Sequence, residues 1–319
     1  MPELHSVMYH YVRDLPRTRH PRIKGLLIDE FHAQVKWLSS EFEMASLEAT
    51  LEFLAGTYHP RRDLCMLTFD DGLKEHHSDV MPILAERNIQ GIFGIITGCV
   101  EKGVVAPVHM NHFLTATLDF EEYRRAFLDE IETVSPGLLD QIVVDSDEAQ
   151  RSYPLDTREM ATFKLLVNFR LHPGLRDGVI RTLFERYCGS EKPFGDELYM
   201  NWREIRELQQ GGMIIAGHTH THQPLSTMNP EELEADVRTC RAALERHVLP
   251  QDLWPFSYPY GKRNSYSPAV IEALQGAGYD CSFGTEAGHN IPGTDVFELY
   301  RIDCKNVVEN LSKALLTAR

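Results

Sequence analysis

The sequence lacks the long apolar run that a membrane-spanning helix requires. No stretch approaches the roughly 18 to 20 apolar residues needed to cross a bilayer. The first twenty residues also lack an apolar segment behind a basic start, the pattern that is typical of a signal peptide. We therefore expect no membrane span and no signal peptide, and we predict a cytoplasmic location.

Positive charge is scarce. The chain has 32 Lys and Arg residues against 47 Asp and Glu, which gives a formal net charge of −15. This balance argues against a nucleic acid or an anionic membrane held by bulk electrostatics. A small anionic molecule bound by a local group of arginines is not excluded.

Cysteine is sparse and scattered. The six cysteines form no CxxC pair and no dense framework. This pattern favours buried free thiols in a reducing compartment over a disulfide scaffold. The cysteines stand at positions 65, 99, 188, 240, 281 and 304.

Short β-rich runs alternate with amphipathic helical patterns along most of the chain. This alternation favours parallel strands in a barrel or an open sheet. The candidate strands are 6–12, 64–70, 91–97, 212–218, 255–260, 280–285 and 297–303. The clearest helices are predicted at 29–42, at 202–210 after an Asn201 cap, and from Pro230 to about residue 247.

Residues 100–198 depart from this alternation of strands and helices. Their patterns are mostly helical, as in LDFEEYRRAFLDEIETV. We interpret this segment as an insertion or a lid-like subdomain.

Two adjacent carboxylates, Asp70 and Asp71, follow the apolar run 64–69 and precede Gly72. Polar residues at the carboxyl ends of parallel strands are where α/β folds place their sites. Neighbouring side chains of an extended chain point in opposite directions, so one aspartate could bind a cation while the other takes another role. A plain strand-to-turn junction is the alternative.

Three histidines, His218, His220 and His222, follow the apolar run that ends at Gly217. One helical turn would bring the first and the last of them to one side, whereas a continued strand would place all three on one face. The segment lacks the glutamate of the HExxH helix, which disfavours a thermolysin-type protease. One aspartate with two histidines leaves coordination positions open, as in a catalytic zinc site.

A third segment, Phe256 to Gly261, reads FSYPYG. Its proline and glycine fix a turn, and a backbone N–H in that turn could face a developing oxyanion. On its own, the segment is more typical of an aromatic loop packed on the core.

Together, TFDDG, HTxxH and FxxPYG, in this order, resemble the motifs of the polysaccharide deacetylase family, the NodB-homology domain of carbohydrate esterase family 4. The resemblance covers roughly residues 64–100 and 200–305. It implies a distorted (β/α)7-8 barrel in a single domain over residues 1–319. The mostly helical insertion at 100–198 would then cover the barrel mouth or mediate formation of a homodimer.

The resemblance also implies roles for individual residues and a divalent metal ion, usually Zn²⁺, with Co²⁺, Ni²⁺ or Mn²⁺ as alternatives. Asp70 would be the general base, and the backbone N–H of Tyr260 would hold the oxyanion. The implied metal ligands are Asp71, His218 and His222, with Thr68 and Thr219 orienting them.

The sequence departs from the family pattern at two points. Ser257 stands where the third motif commonly carries an arginine, and we predict that Arg301 supplies the missing guanidinium to Asp70. The late histidine that usually acts as general acid has no clean match. His109 is our first candidate for that acid, with His112 and His289 as alternatives.

We further expect Tyr258, Pro259 and His112 to contact substrate, and His76 and His77 to face solvent at the start of a helix. The predicted activity is metal-dependent removal of an N-acetyl or similar acyl group from a sugar or saccharide precursor in surface-polysaccharide or glycan biosynthesis. Hydrolysis of another non-peptide C–N bond, or non-catalytic metal or glycan binding, are the alternatives.

Overall fold

A computed structural model of the chain describes residues 2–154 and 156–307. These residues form two compact units. The first contains Gly25–Val104 and the described parts of Met1–Asp14 and Gly195–Arg319. The second contains Leu15–Lys24 and the described residues of Val105–Phe194. The assignment of residues 1–319 to one domain, and the insertion at 100–198 as a lid or dimerisation element, stay predictions.

A parallel sheet forms the centre of the first unit. The strands of the chain are β1 Leu4–Tyr9, β2 Val12–Arg13, β3 Leu26–Leu27, β4 Glu43–Met44, β5 Leu64–Phe69, β6 Gly91–Ile95, β7 Ile214–Gly217, β8 Pro255–Ser257, β9 Cys281–Phe283 and β10 Ile302–Asp303. The main sheet has the order β10-β1-β5-β6-β7-β8-β9, with β4 paired to β5, and β2 and β3 form a separate pair. All these strand pairs are parallel.

Helices connect the strands, as the alternating pattern predicts. They are α1 Ile28–Glu41, α2 Leu47–Leu54, α3 Met81–Glu86, α4 Thr97–Lys102, α5 Pro107–Thr117, α6 Phe120–Val134, α7 Ser146–Ser152, α8 Arg158–Leu165, α9 Pro173–Tyr187, α10 Glu191–Leu198, α11 Trp202–Gln210, α12 Pro230–His247 and α13 Pro268–Gly276. The expected capping boxes are present at Asn201 and Asn229, which begin α11 and α12. Short π-helical turns lie at His76–Val80 and Leu166–Arg170.

Alternation along the strands gives the sheet of the first unit two apolar faces. One face packs against the helices and includes Val7, Leu67, Phe93, Ile215 and Phe256. The opposite face forms a second cluster, which receives a residue from most strands and includes Leu4, Met66, Ile92, Ala216 and Phe283. Because successive strand residues point to opposite faces, the second cluster is the inner side of a curled sheet.

The segment between β9 and β10 brings the last strand back to the first. Leu299 donates its N–H to the Ser282 carbonyl at 3.1 Å and accepts a bond from the Gly284 N–H at 2.9 Å, and Ile302 then pairs with Val7 on β1. Within the predicted strand 297–303, regular strand geometry is therefore limited to Ile302–Asp303. The predicted barrel-type fold is confirmed as a parallel, curled sheet surrounded by helices.

The second unit is helical and has its own apolar contacts. A small cluster of Ala149, Ala161 and Leu165 lies between α7 and α8. Phe113 and Phe184 pack edge-on against Phe194 with ring centroids 4.7 and 4.8 Å away. Within the described ranges, no helix is both long and apolar enough to cross a membrane.

Candidate active site

Polar side chains continue the inner face of the sheet at the carboxyl ends of its strands. On β5 the inner positions are Leu64, Met66 and Thr68, and the next inner position is Asp70. The same alternation carries Ala216 on β7 to His218. The strands whose side chains fill the inner core thus also place the candidate site residues at one end of the sheet.

Asp71, His218 and His222 form one buried cluster, as the sequence predicts. The Asp71 Oδ1 atom lies 3.3 Å from Nε2 of each histidine, and the three residues are 2 to 7% exposed. Zinc bonds of about 2.0–2.1 Å separate tetrahedral ligand atoms by about 3.4 Å. One carboxylate and two imidazoles at this spacing fit a divalent metal ion, and this is the one such group of three in the described ranges.

The two histidines are brought together by a tight turn rather than by a helical turn or a continued strand. Thr219 and His222 have left-handed φ values of 64° and 57°. The Thr219 hydroxyl donates to the His218 carbonyl at 2.6 Å and accepts the His222 N–H at 2.8 Å. His220 points elsewhere, since its Nδ1 lies 3.0 Å from the Thr97 hydroxyl.

The ring of His218 is held by a second contact. Its Nδ1–H donates to the Ser257 carbonyl at 2.8 Å, which leaves Nε2 directed to Asp71. Burial lowers the pKa of His218, but the hydrogen bond that its ring donates to Asp71 and the charges of Asp70 and Asp71 outweigh that effect and raise the pKa above its ordinary value.

Backbone strain is concentrated at this site. Among the described residues, five non-glycine residues have a positive φ, and four of them lie here: Asp71, Thr219, His222 and Tyr260. Such conformations cost on the order of 1–3 kcal/mol each and persist only where the surrounding structure holds them. Gly94 lies directly beneath the site. A Cβ atom at this position would come within 3.3 Å of Asp70 Oδ1 and 3.4 Å of His218 Cβ.

Asp70 forms a buried ion pair with Arg301, as we predicted from the missing motif arginine. The Arg301 Nη2 atom lies 2.8 Å from Asp70 Oδ2, and Nη1 donates to Oδ1 at 3.0 Å. Burial would raise the pKa of Asp70, but the charge of Arg301 dominates and lowers it well below the ordinary value of 3.8. Asp70 is therefore ionised at any neutral or mildly acidic pH.

The guanidinium of Arg301 is fixed by neutral partners as well. Nε donates to the Gly284 carbonyl at 2.6 Å, and Nη1 lies 3.0 Å from the Thr68 hydroxyl and 3.1 Å from the Ser257 hydroxyl. Ser257, which replaces the motif arginine, thus leaves room for a guanidinium that comes from another part of the chain. Thr68 orients this arginine and, within the part of the chain that the structure describes, forms no hydrogen bond with the three candidate metal ligands.

His10 is a site residue that the sequence analysis missed. Its Nε2 lies 3.9 Å from Asp70 Oδ2, and its side chain is 40% exposed. It follows β1, which pairs with β5 so that Met8 lies opposite Thr68 and Tyr9 opposite Phe69. The alternation of inner and outer residues along β1 also indicates the direction of the His10 side chain. It places His10 at the site only once β1 and β5 are known to be neighbours.

The backbone of His10 is held from below by His76. The His76 Nε2 atom lies 2.9 Å from the His10 carbonyl, and its ring packs against both Phe69 and Phe93, with centroids 5.6 and 5.7 Å away. The expectation that His76 faces solvent is wrong, because the residue is fully buried. Burial lowers its pKa, so it stays neutral.

Tyr258 is not placed to contact substrate through its side chain, which corrects that prediction. Its ring is 1% exposed and stacks on Tyr266 at 4.1 Å, and its hydroxyl donates to the Phe297 carbonyl at 3.0 Å. Because Ser257 points to the inner site, the next side chain of this extended segment points to the outer layer.

The next two residues of this motif differ in exposure. Tyr260 is 46% exposed, and its ring lies 5.5 Å from that of His222. Pro259 is buried, and its predicted contact with substrate stays a prediction.

His289, an alternative candidate for the general acid, lies at the other end of the strands. Its Nε2 is 3.5 Å from Glu3 Oε1, and the adjacent Asn290 pairs with Leu4 at the start of β1. Asp70 follows the end of β5, so about six strand residues, or roughly 20 Å, separate the two positions. His289 therefore does not reach the site.

His109 and His112 belong to the second unit, on α5. His109 is 1% exposed, whereas His112 is exposed, and their ring centroids are 5.9 Å apart. Their roles as general acid and as substrate contact stay predictions.

Comparison with known proteins points to the same family as the motifs. The sequence model of the polysaccharide deacetylase family matches residues 183–282, a segment that contains both the histidine turn and the FSYPYG motif. This part of the chain is similar to a polysaccharide deacetylase domain. The predicted resemblance is thereby confirmed, and the family is generally metal-dependent.

Among curated proteins, YxkH of Bacillus subtilis (strain 168), named as a provisional polysaccharide deacetylase, is 22% identical over 111 residues. That alignment covers 35% of this chain and 38% of YxkH, so the match spans well under half of the relative.

Solved structures agree in fold. The Streptococcus pyogenes deacetylase PplD, in complex with acetate, matches with a TM-score of 0.59 at 14% identity, over 97% of this chain and 98% of PplD. A de-N-acetylase from Aggregatibacter actinomycetemcomitans matches with a TM-score of 0.60 at 14% identity, over 98% of this chain and 99% of that protein. At these identities the likeness establishes the fold alone.

Proposed function

We propose that this chain is a metal-dependent hydrolase that removes an N-acetyl or similar small acyl group from an amino sugar within a saccharide. The observation that carries the proposal is the buried cluster of Asp71, His218 and His222 beside a carboxylate that Arg301 keeps ionised. The deacetylase family model and the fold shared with a de-N-acetylase support the substrate class.

Asp71, His218 and His222 would hold the metal ion, with Zn²⁺ our first candidate and Co²⁺, Ni²⁺ or Mn²⁺ as alternatives. A divalent cation in such a site supplies Lewis acidity toward the substrate carbonyl and the attacking water. We further propose that the protein forms a homodimer and that its helical unit mediates dimerisation. A cytoplasmic location is supported by the six buried free thiols.

Three groups around the cluster have the remaining catalytic roles. Asp70 is ionised at neutral pH and accepts the proton of the attacking water. The Tyr260 backbone N–H, set by a left-handed turn, donates to the oxygen that gains negative charge. His10 is exposed beside Asp70 and donates a proton to the leaving amine.

Metal removal is expected to abolish acyl release reversibly. Chelator-treated protein should release no acetate from N-acetylated amino-sugar oligomers, and added Zn²⁺ should restore release. Metal content by mass spectrometry and acetate release are the two measurements, with Asp71→Asn as a variant that binds little metal. Wild-type protein that binds no metal would overturn the proposed function, and metal binding without acyl release from any such sugar would favour a non-catalytic binding protein.

Replacing His10 with glutamine is expected to lower kcat by about 10²–10³-fold, the usual contribution of one general acid. Metal affinity should not change, because His10 is outside the metal cluster. Steady-state kinetics and the metal content of the purified variant measure these two effects.

His289→Gln is the matched control, since His289 is exposed and lies at the opposite end of the strands. It should retain the wild-type kcat. His109→Gln tests the original candidate for the general acid. A large loss of kcat in His109→Gln with a normal His10→Gln would return the role to His109.

A further inference from the structure

Asp236 is a buried carboxylate on the apolar side of α12. The buried residues of this helix include Leu233, Asp236, Val237, Cys240 and Leu244, and Asp236 is 6% exposed. An ionised carboxylate in such a stripe is costly unless hydrogen bonds compensate it. Its position therefore requires a structural reason.

Three hydrogen bonds supply that reason, and all three come from the histidine turn. The His220 N–H donates to Asp236 Oδ1 at 2.8 Å, and the Thr221 N–H and hydroxyl donate to Oδ2 at 3.0 and 2.6 Å. His220 and Thr221 are the two residues directly before His222. One carboxylate therefore holds the backbone between the two histidine ligands.

The far side of the same turn is held by backbone contacts. The N–H groups of Thr97 and Gly98 donate to the carbonyls of Thr219 and His220 at 3.2 and 3.0 Å. Without the hydrogen bonds to Asp236, the backbone at residues 220 and 221 would be held only from the side of Thr97 and Gly98. His222 is the ligand that would lose its position, because His218 is fixed independently by β7 and by Ser257.

We propose that Asp236 is a positioning residue for the metal centre: it holds His222 at the distance from Asp71 and His218 that a divalent cation requires. The inference rests on the metal site of the proposed function, and it assigns to this carboxylate no contact with metal or substrate. Groups that orient metal ligands in this way typically contribute 10- to 100-fold to metal affinity.

The test is the Zn²⁺ dissociation constant of metal-free protein, measured by competition with a chromophoric chelator. Asp236→Asn retains one acceptor but presents an N–H₂ group to the two donors of Thr221, and we expect Zn²⁺ binding to weaken by about 10- to 100-fold. Val237→Ala is the matched control. It lowers the stability of the same helix without touching the turn, and it should bind Zn²⁺ as the wild type does.

Cobalt substitution gives a readout that a general loss of stability would not change. The visible absorption of bound Co²⁺ depends on coordination geometry, so the spectrum of Asp236→Asn should differ from that of the wild type, while that of Val237→Ala should superimpose on it. If Asp236→Asn fails to fold, Thr221→Val removes one donor to the same carboxylate and should weaken Zn²⁺ binding roughly 3- to 10-fold.

The outcomes separate this inference from the proposed function. Wild-type protein that binds no Zn²⁺ would remove the metal centre and the inference with it. Normal Zn²⁺ binding by the wild type and by a folded Asp236→Asn or Thr221→Val variant, with unchanged Co²⁺ spectra, would overturn the positioning role alone.

Discussion

Asp70→Asn is expected to lower kcat for acyl release by about 10²–10⁴-fold, because the variant has no carboxylate to accept the proton of the attacking water. Asp70 is not among the three residues that surround the metal position, so metal binding should persist. Acetate release and metal content, measured on the same preparation, test both statements.

Two controls make the result specific. Asp71→Asn should lose metal and activity together, in contrast to Asp70→Asn. The amide also leaves Arg301 without its buried counter-ion, so the thermal unfolding curve must show that the variant is folded at the assay temperature. Full acyl release by a folded Asp70→Asn variant would contradict the role of Asp70 as the base.

Arg301→Met should lower the free energy of unfolding by about 3–5 kcal/mol at neutral pH, the usual effect of breaking a buried ion pair by removing one partner. Arg301 is 1% exposed and Asp70 2% exposed, so solvent screens the pair little. Urea or guanidinium unfolding at constant pH measures the change.

The pH dependence of this effect follows from the direction of the pKa shift. Arg301 lowers the pKa of Asp70 below its ordinary value of 3.8, so the stabilisation is complete above about pH 4 and is lost as the pH falls through the lowered value. In the variant, burial raises the pKa of Asp70 instead. The difference in stability between wild type and variant should therefore shrink on acidification.

Activity should respond through the same carboxylate. With a raised pKa, Asp70 stays protonated over part of the mildly acidic range, so the acidic limb of kcat/KM should move to higher pH. Arg263→Met is the matched control, because Arg263 forms a surface ion pair with Glu298, and such pairs contribute only about 0–1 kcal/mol. If Arg301→Met cost no more stability than Arg263→Met and left the acidic limb in place, Arg301 would not be the cation that keeps Asp70 ionised.

The sequence was sufficient for the parts of the site that are encoded locally. Asp70 and Asp71 are neighbours at the end of an apolar strand, and His218 and His222 belong to one short turn, so their proximity in the chain already indicated one site. Arg301 was predicted across more than two hundred residues, because a family motif lacked an arginine and a late strand end offered one.

His10 could not be found in this way, since chain order in a curled sheet is not spatial order. The strand that His10 follows is first in the chain, yet it lies between β5 and β10. Tyr258 and His76 were placed incorrectly for a related reason. The face of the chain on which a side chain lies depends on the register and twist of the backbone, and residue type alone does not reveal it.

The return of the last strand to the first has a consequence for how the protein matures. Arg301 directly precedes β10, the strand that pairs with β1, so docking of β10 also places the cation beside Asp70. A folding chain whose final strand has not docked contains a carboxylate that burial would protonate. Molecules in which β10 has not docked would then lack the ionised base, and they would be unable to hydrolyse substrate by the proposed mechanism.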